Sequence, residues 1–383
     1  MAIYIEIESL IEFQRHLNAH ADLNAVVVQG LDLTSLEETL RERSSEGAVF
    51  LGCVMSAGLL RHVLDTGGLV FPRIPDLPYH PYRAKLYTAE SLTQGYIHGD
   101  ISSFSNSYDQ RIYQHFDGHR RCRDVVPIVE TLAQRLHDHA IDDALEDFLV
   151  NGGHPRKVVA VMGGHGMKRT DDRYGQVARI AHRLTRHDDG YTMATGGGPG
   201  AMQATNLGAW LAGYPEDTID IAVALLRDAP TYKHPAWWDT ALNVRARFPN
   251  TPGVSLGIPT WHYGHEPPNL FATHIAKYFS NSLREDGLLA IARHGVVYAP
   301  GSAGTIQEIF MDACQNHYGT FGDVSAMVFL GEAYWQETKP VYPLLKQLAS
   351  GHQYADSMTI TDNIDALVSF IVNHPPVPYH DGA

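Results

Sequence analysis

Downstream of residue 151 the chain alternates two patterns of apolar positions. Short continuous apolar runs predict buried strands, and apolar residues three and four apart predict helices. Residues 158–162 read as a strand, followed by a helix over 174–187 with Val177, Ala181 and Leu184 on one face. Residues 191–195, 219–225, 254–258, 296–299, 326–330 and 358–360 also read as strands. Residues 201–212, 270–293, 303–317, 342–348 and 364–372 read as helices. Alternation of this length predicts an α/β fold with a doubly wound parallel sheet and helices on both faces. Ligands of such sheets bind beyond the carboxyl ends of the strands.

Upstream the pattern is less regular. Residues 3–7, 25–28, 49–53 and 69–71 suggest short strands, and 36–43, 57–64 and 124–149 suggest helices. Pro72, Pro75, Pro78 and Pro81 predict a stiff, extended connector leading to Arg83, Lys85 and Tyr87, three candidates to reach a ligand. The breaker cluster Asn151-Gly152-Gly153-His154-Pro155 places a boundary there. Residues 1–150 therefore form an N-terminal accessory region and 151–383 the main domain.

Composition narrows the class. The 383 residues are 44% apolar and 19% charged, as in ordinary globular proteins. No apolar run approaches the roughly 18–20 residues that cross a bilayer, so no membrane partner is expected. The start, Met1 to Glu6, lacks a basic region followed by an apolar core, so no signal peptide is expected. Three distant cysteines, Cys53, Cys122 and Cys314, fit a reducing cytoplasm and argue against a disulfide framework. The net charge of −14 argues against nucleic-acid binding. The one basic cluster, Arg120-Arg121-Cys122-Arg123, is flanked by Asp117 and Asp124 and reads as a solvated helix start. Two histidine spacings, His115 with His119 and His262 with His265, lack the acidic or cysteine partners of a metal motif. No metal and no cofactor is expected.

Three glycine-rich turns carry the candidate chemistry. In Pro300-Gly301-Ser302-Ala303-Gly304-Thr305-Ile306-Gln307-Glu308 a strand ends and a helix opens. The first N–H groups of a helix have no intrahelical partner, and with the helix dipole they form an anion site, most often for phosphate. Gly301, Ser302, Ala303, Gly304 and Thr305 are the candidate cradle, and Glu308 lies one turn further on. The turn Gly196-Gly197-Gly198-Pro199-Gly200-Ala201-Met202 suits a backbone wrapped around phosphate or ribose. It matches neither the dinucleotide fingerprint nor the Walker motif. Gly163 and Gly164 in Met162-Gly163-Gly164-His165-Gly166 permit close approach to a ligand, though a plain strand-to-helix turn explains them equally. The aromatics Tyr232, Trp237, Trp238, Phe248, Trp261 and Tyr263 between Pro230 and Pro268 suit either base stacking or packing against the accessory layer.

Taken together, the turns at 196–202 and 300–308 resemble the LONELY GUY (LOG) family, long labelled "lysine decarboxylase-like", with its P-G-G-x-G-T-x-x-E motif. The resemblance covers about 156–373. The size, the extra N-terminal region and Glu266-Pro267-Pro268-Asn269 resemble the larger bacterial nucleotide 5′-monophosphate nucleosidases. It implies a Rossmann-like domain and hydrolysis of the N-glycosidic bond of purine or pyrimidine nucleoside 5′-monophosphates to free base and ribose 5-phosphate. It also implies Glu308 as the catalytic carboxylate, Arg284 as the substrate-orienting arginine, Gly197 to Met202 and Asn269 beside the nucleotide, and a homodimer or higher homo-oligomer. Two positions depart from the pattern. Ser302 replaces the second glycine, which is tolerable where φ is not positive. Glu285 replaces the lysine that follows the arginine and removes a positive charge near the expected phosphate. The decarboxylase label has no support in the lysines of this half, because none follows a histidine. The same cradle without turnover would serve a nucleotide sensor or carrier.

Overall fold

The computed structural model describes residues 4–121, 126–249, 253–263 and 266–380, without the side chains of 119–121. Cys122, Arg123, Asp124 and His265 lie outside the described residues, as do the side chains of His119, Arg120 and Arg121. The chain forms two compact units: residues up to Leu86 with His115–Phe148, and Tyr87–Gln114 with Leu149–Ala383.

The first unit begins with β1 (Ile5–Ile7), α1 (Leu10–Ala19), β2 (Val26–Gln29), α2 (Glu37–Arg41), β3 (Val49–Leu51), α3 (Ala57–Asp65) and β4 (Leu69–Phe71). Its four strands pair in parallel in the order β1-β2-β3-β4. Phe13, Leu17, Val28, Phe50, Leu59 and Val63 fill its core. Ser9 and Ser56 cap α1 and α3 by accepting the N–H of Glu12 and Leu59. Next come α4 (Ala89–Thr93), α5 (Tyr108–Arg121) and α6 (Ile128–Val150). In α5, His115 faces Glu130 at 2.9 Å.

The second unit continues with β5 (Val158–Met162), α7 (Asp172–Arg186), β6 (Thr192–Thr195), α8 (Ala201–Trp210), α9 (Thr218–Leu226), α10 (Trp237–Arg247), β7 (Ser255–Gly257) and β8 (His274–Ile275). It closes with α11 (Asn281–Ile291), β9 (Val296–Tyr298), α12 (Ala303–Tyr318), β10 (Asp323–Val324), β11 (Met327–Leu330), α13 (Val341–Ala349), β12 (Met358–Thr361), α14 (Ile364–Asn373) and β13 (Val377–Pro378). Seven strands pair in parallel in the order β12-β11-β9-β5-β6-β7-β8. Every residue of β5, β6, β7, β9 and β11 is buried, as a sheet covered on both faces requires. This is the expected α/β, Rossmann-like doubly wound fold. The chain runs outward from β5 to β8, then returns to place β9 on the other side of β5. The switch point lies between β5 and β9, where open α/β sheets hold ligands.

Three expectations are corrected. Residues 219–225 are not a strand but part of α9, whose buried Ile219, Ala222, Val223 and Leu226 recur at three- and four-residue spacing. Residues 270–293 are not one helix, because the first part is extended and forms β8 before α11 begins. Residues Tyr87–Gln114 belong with the second unit rather than with an accessory region ending at 150. The Tyr87 N–H donates to Ile275 O at 2.9 Å. Lys277 Nζ meets Asp109 Oδ1 at 2.5 Å, with both side chains 1% exposed.

Candidate functional site

The switch point opens into a cleft of about 750 Å³ that lies within the second unit. Its floor is made where β5 and β9 end. The Gly164 N–H donates to Pro300 O at 3.1 Å, so the two turns are laced together. Gly163, Gly164, Gly197, Gly198, Met202, Arg284, Gly301, Ser302, Ala303, Gly304, Thr305 and Glu308 all line the cleft. Predicted residues from four separate segments thus converge on one cavity.

The cradle is the N-terminus of α12. Its first helical hydrogen bond is from Ile306 N–H to Ser302 O, 2.9 Å. The N–H groups of Ala303, Gly304 and Thr305 precede that bond and have no intrahelical acceptor. Ser302 takes φ −121°, so the serine departure carries no backbone strain. Its hydroxyl accepts from Lys339 Nζ at 2.8 Å, which sets a cation at the helix start. Gly301 is required for another reason. A Cβ there would stand 2.1 Å from Thr305 Oγ1, because Thr305 folds back onto the turn.

Glu308 follows one helical turn later. It is half-buried, and the part that is exposed lines the cleft. Burial pushes its carboxyl up to about 7; Arg284 pulls the other way and Glu285 adds to the rise. Arg284 is buried, and Nη2 donates to Asn281 Oδ1 at 2.8 Å and to Glu285 Oε1 at 3.3 Å. Its Nε has no partner among the described residues. Glu285 also accepts from Asn281 and from Gln307 Nε2, at 2.8 and 3.0 Å. The glutamate that departs from the family pattern is therefore the counterion of Arg284. Beneath, the Tyr298 hydroxyl donates to Asp312 at 2.6 Å, and burial pushes Asp312 up to about 7.

Other predicted residues support the cleft from outside it. Asn269 is fully buried and does not line the cavity. Its Nδ2 donates to Met202 O at 3.2 Å and to Asn206 Oδ1 at 2.8 Å, and its backbone N–H donates to Gly197 O at 3.0 Å. It staples the glycine turn of β6. Pro199 and Gly200 line an adjoining cavity instead. Gly200 takes φ +71°, and a Cβ there would stand 2.3 Å from Gly164 O. Tyr87 does not line the cleft, and Arg83 and Lys85 belong to the first unit. Of the linker aromatics, Trp237, Trp238 and Trp261 are buried, Tyr263 lines the cleft and Tyr232 lines the adjoining cavity. Trp238 packs on Phe104 and Tyr96 at 4.6 and 5.1 Å.

Sequence reading missed the pairing of His165 with Glu266 at 3.1 Å across the cleft lining, and Gln307 beside Glu285. His165 sat in a recognised glycine turn, but nothing local in the sequence joins it to a residue a hundred positions away. Among the described residues no group of three or more His, Cys, Asp or Glu is arranged to hold a metal ion. No helix among them is long and apolar enough to cross a membrane.

No protein-family model and no curated protein sequence matches the chain. Solved structures do align with it. A molybdenum cofactor binding protein from the phototrophic bacterium Rippkaea orientalis is 14% identical, covers 57% of this chain and 96% of its own, with a TM-score of 0.36. The molybdenum cofactor carrier protein of Chlamydomonas reinhardtii is 14% identical over 57% of this chain and 97% of its own, also at 0.36. At that distance the likeness decides nothing about a ligand, and the architecture rests on the strand order above.

Proposed function

We propose that the cleft binds a nucleoside 5′-monophosphate and hydrolyses its N-glycosidic bond. The observation that carries this reading is the meeting of a helix-start N–H cradle, a half-buried carboxyl and an arginine in one cleft at the switch point. The N–H groups of Ala303 to Thr305 hold the 5′-phosphate. Lys339, held at Ser302, adds positive charge there. The glycine turn at 196–202 flanks the nucleotide, and the Arg284 guanidinium, which lines the cleft, orients the substrate.

In the reaction the C1′–N bond breaks with its electron pair leaving on the base nitrogen, which takes a proton from solvent. Water adds its oxygen to C1′ and passes a proton to the Glu308 carboxylate, which also stabilises the oxocarbenium-like charge and then returns that proton to solvent. The products are free base and ribose 5-phosphate. Incubation with AMP, GMP, CMP and UMP and an assay for free base tests this directly. Nucleotide binding without base release from any of the four would overturn it.

The second reading is a carrier or sensor that holds a phosphorylated ligand without turnover. It is favoured by the state of Arg284, already neutralised by Glu285 and tied to Asn281. Glu308→Gln separates the two readings. A hydrolase loses turnover in that variant and keeps binding, whereas a carrier shows no turnover before or after the change.

A further inference from the structure

We propose that a second cavity, which shares His165, Gly166 and Met167 with the cleft, is a binding site for an oxyanion such as phosphate. The cavity holds about 240 Å³ and is lined by Arg169, Gln203, Lys233, Tyr232 and the Pro199-Gly200 turn. Its lining contains no Asp or Glu.

The first observation is a buried charge without a counterion. Arg169 is 1% exposed. Its Nε donates to Gln203 Oε1 at 2.8 Å and its Nη1 to Ala229 O and Thr240 Oγ1 at 3.0 and 2.8 Å. Its Nη2 donates to Trp237 O at 3.1 Å. All four acceptors are neutral, and among the described residues no carboxylate pairs with it. Burial lowers its pKa only to about 10, so the guanidinium stays charged at neutral pH. The neighbouring Tyr174 hydroxyl is held neutral by its own burial. A buried cation of this kind is expensive unless an anion answers it.

The second observation is an unspent donor. Gln203 is fully buried, and its Oε1 accepts from both Arg169 Nε and Tyr174 Oη, the latter at 2.9 Å. Those two donors fix the orientation of the amide. Its Nε2 has no partner among the described residues. The third observation is the start of α8. Its first helical bond is Ala204 N–H to Gly200 O, 3.0 Å, so the N–H of Gln203, a residue that lines the cavity, precedes the ladder. Lys233 adds an exposed cation. Glu266, the carboxylate that acts on Tyr232, is paired with His165. Charge, donor and dipole therefore share one sign around one cavity. Because it adjoins the cleft, a nucleotide with two separated phosphates would fill both; the pairing with the cleft rests on the cradle reading above, but the anion site does not.

Calorimetric titration of the full chain with inorganic phosphate at low salt tests the site. Gln203→Glu keeps the side-chain shape and supplies Arg169 with a carboxylate. Gly304→Asp puts a carboxylate into the other cradle, where a Cβ meets nothing within 4 Å. Two phosphates are expected on the wild type, one on each variant and none on the double variant. A nucleoside 3′,5′-bisphosphate should bind at least ten-fold tighter than the 5′-monophosphate, with that gain lost in Gln203→Glu. A gain of zero alongside the expected phosphate counts assigns the site to free phosphate. If Gln203→Glu melts at or above the wild-type temperature and binds as many phosphates as the wild type, the proposal is overturned. Lys233→Glu, on the exposed rim, gives the same reading should Gln203→Glu fail to fold. If Gly304→Asp loses nothing while Gln203→Glu loses one phosphate, the cradle reading fails and the second site stands.

Discussion

Glu308 combines two demands that conflict. A carboxylate facing the proposed phosphate cradle would share a site with negative charge, and burial already penalises its ionised form. The carboxyl is raised from 4.5 to about 7. Between those values the folded chain holds a proton that the unfolded chain has released. Stability therefore falls as pH rises through that window and stays lower above it. Glu308→Gln has no such loss. It should match the wild type near pH 4.5 and exceed it by about 1–2 kcal/mol at pH 8, a value discounted because cleft water screens the exposed part of the side chain. Urea denaturation at the two pH values measures this, and equal differences at both would remove Glu308 from the pH dependence. The same titration governs activity. Because the proposed role needs the carboxylate, kcat/KM for a nucleoside monophosphate should rise with pH through about 7. A profile that falls through that region would make Glu308 a proton donor instead. The fall in kcat for Glu308→Gln should be about 10²–10⁴-fold.

At the scale of elements, the cradle depends on how tightly a strand can hand over to a helix. Gly301 and Gly304 bracket the turn but carry different constraints. A methyl at Gly301 collides with Thr305 at 2.1 Å, whereas one at Gly304 meets nothing within 4 Å. Gly301→Ala should cost about 1–3 kcal/mol through overpacking, while Gly304→Ala should gain about 0.5–1 kcal/mol in helix propensity. Thermal melts of the two variants check the contrast, and equal melting temperatures would refute it. This cradle was legible in the sequence because its parts are contiguous between 300 and 308. The strands β5, β6, β7, β9, β11 and β12 were legible because short apolar runs between turns have few other readings. α9 was not, since Ile221, Ala224 and Leu225 on its less buried face are apolar too, and the almost unbroken apolar run hides the helical period. Residues 270–279 were absorbed into α11 for a similar reason: Leu270, Phe271, Ile275, Tyr278 and Phe279 are buried in an extended segment that abuts a helix. The support given by Asn269 to the glycine turn, and the pair His165–Glu266, join distant segments and leave no local mark.

For the whole molecule, the composition break at 151 suggests cutting the chain there, and the fold argues against that cut. Residues Tyr87–Gln114 belong to the second unit and supply Asp109, the counterion of Lys277. Asp109 also accepts from Trp261 Nε1 at 3.1 Å, and Lys277 lies 5.1 Å from the centre of the Trp261 ring. Removing one member of a buried pair leaves a charge in a dry place and typically costs about 3–5 kcal/mol. That is a large share of the roughly 5–15 kcal/mol that holds a domain together. Asp109→Asn in the full chain should therefore lower stability by about 3 kcal/mol or more, while leaving the cleft residues in place. A fragment of residues 149–383 loses Asp109, the Tyr87 bridge to Ile275 and the bed of Trp238 together. It should show no cooperative melt and little near-UV circular dichroism, although it retains every residue that lines the cleft. The comparison to make is thermal unfolding of the full chain, of Asp109→Asn and of the fragment under one buffer. A fragment that melts as sharply and as high as the full chain would show that the buried pair and its segment are dispensable, and that the domain boundary lies where the composition changes.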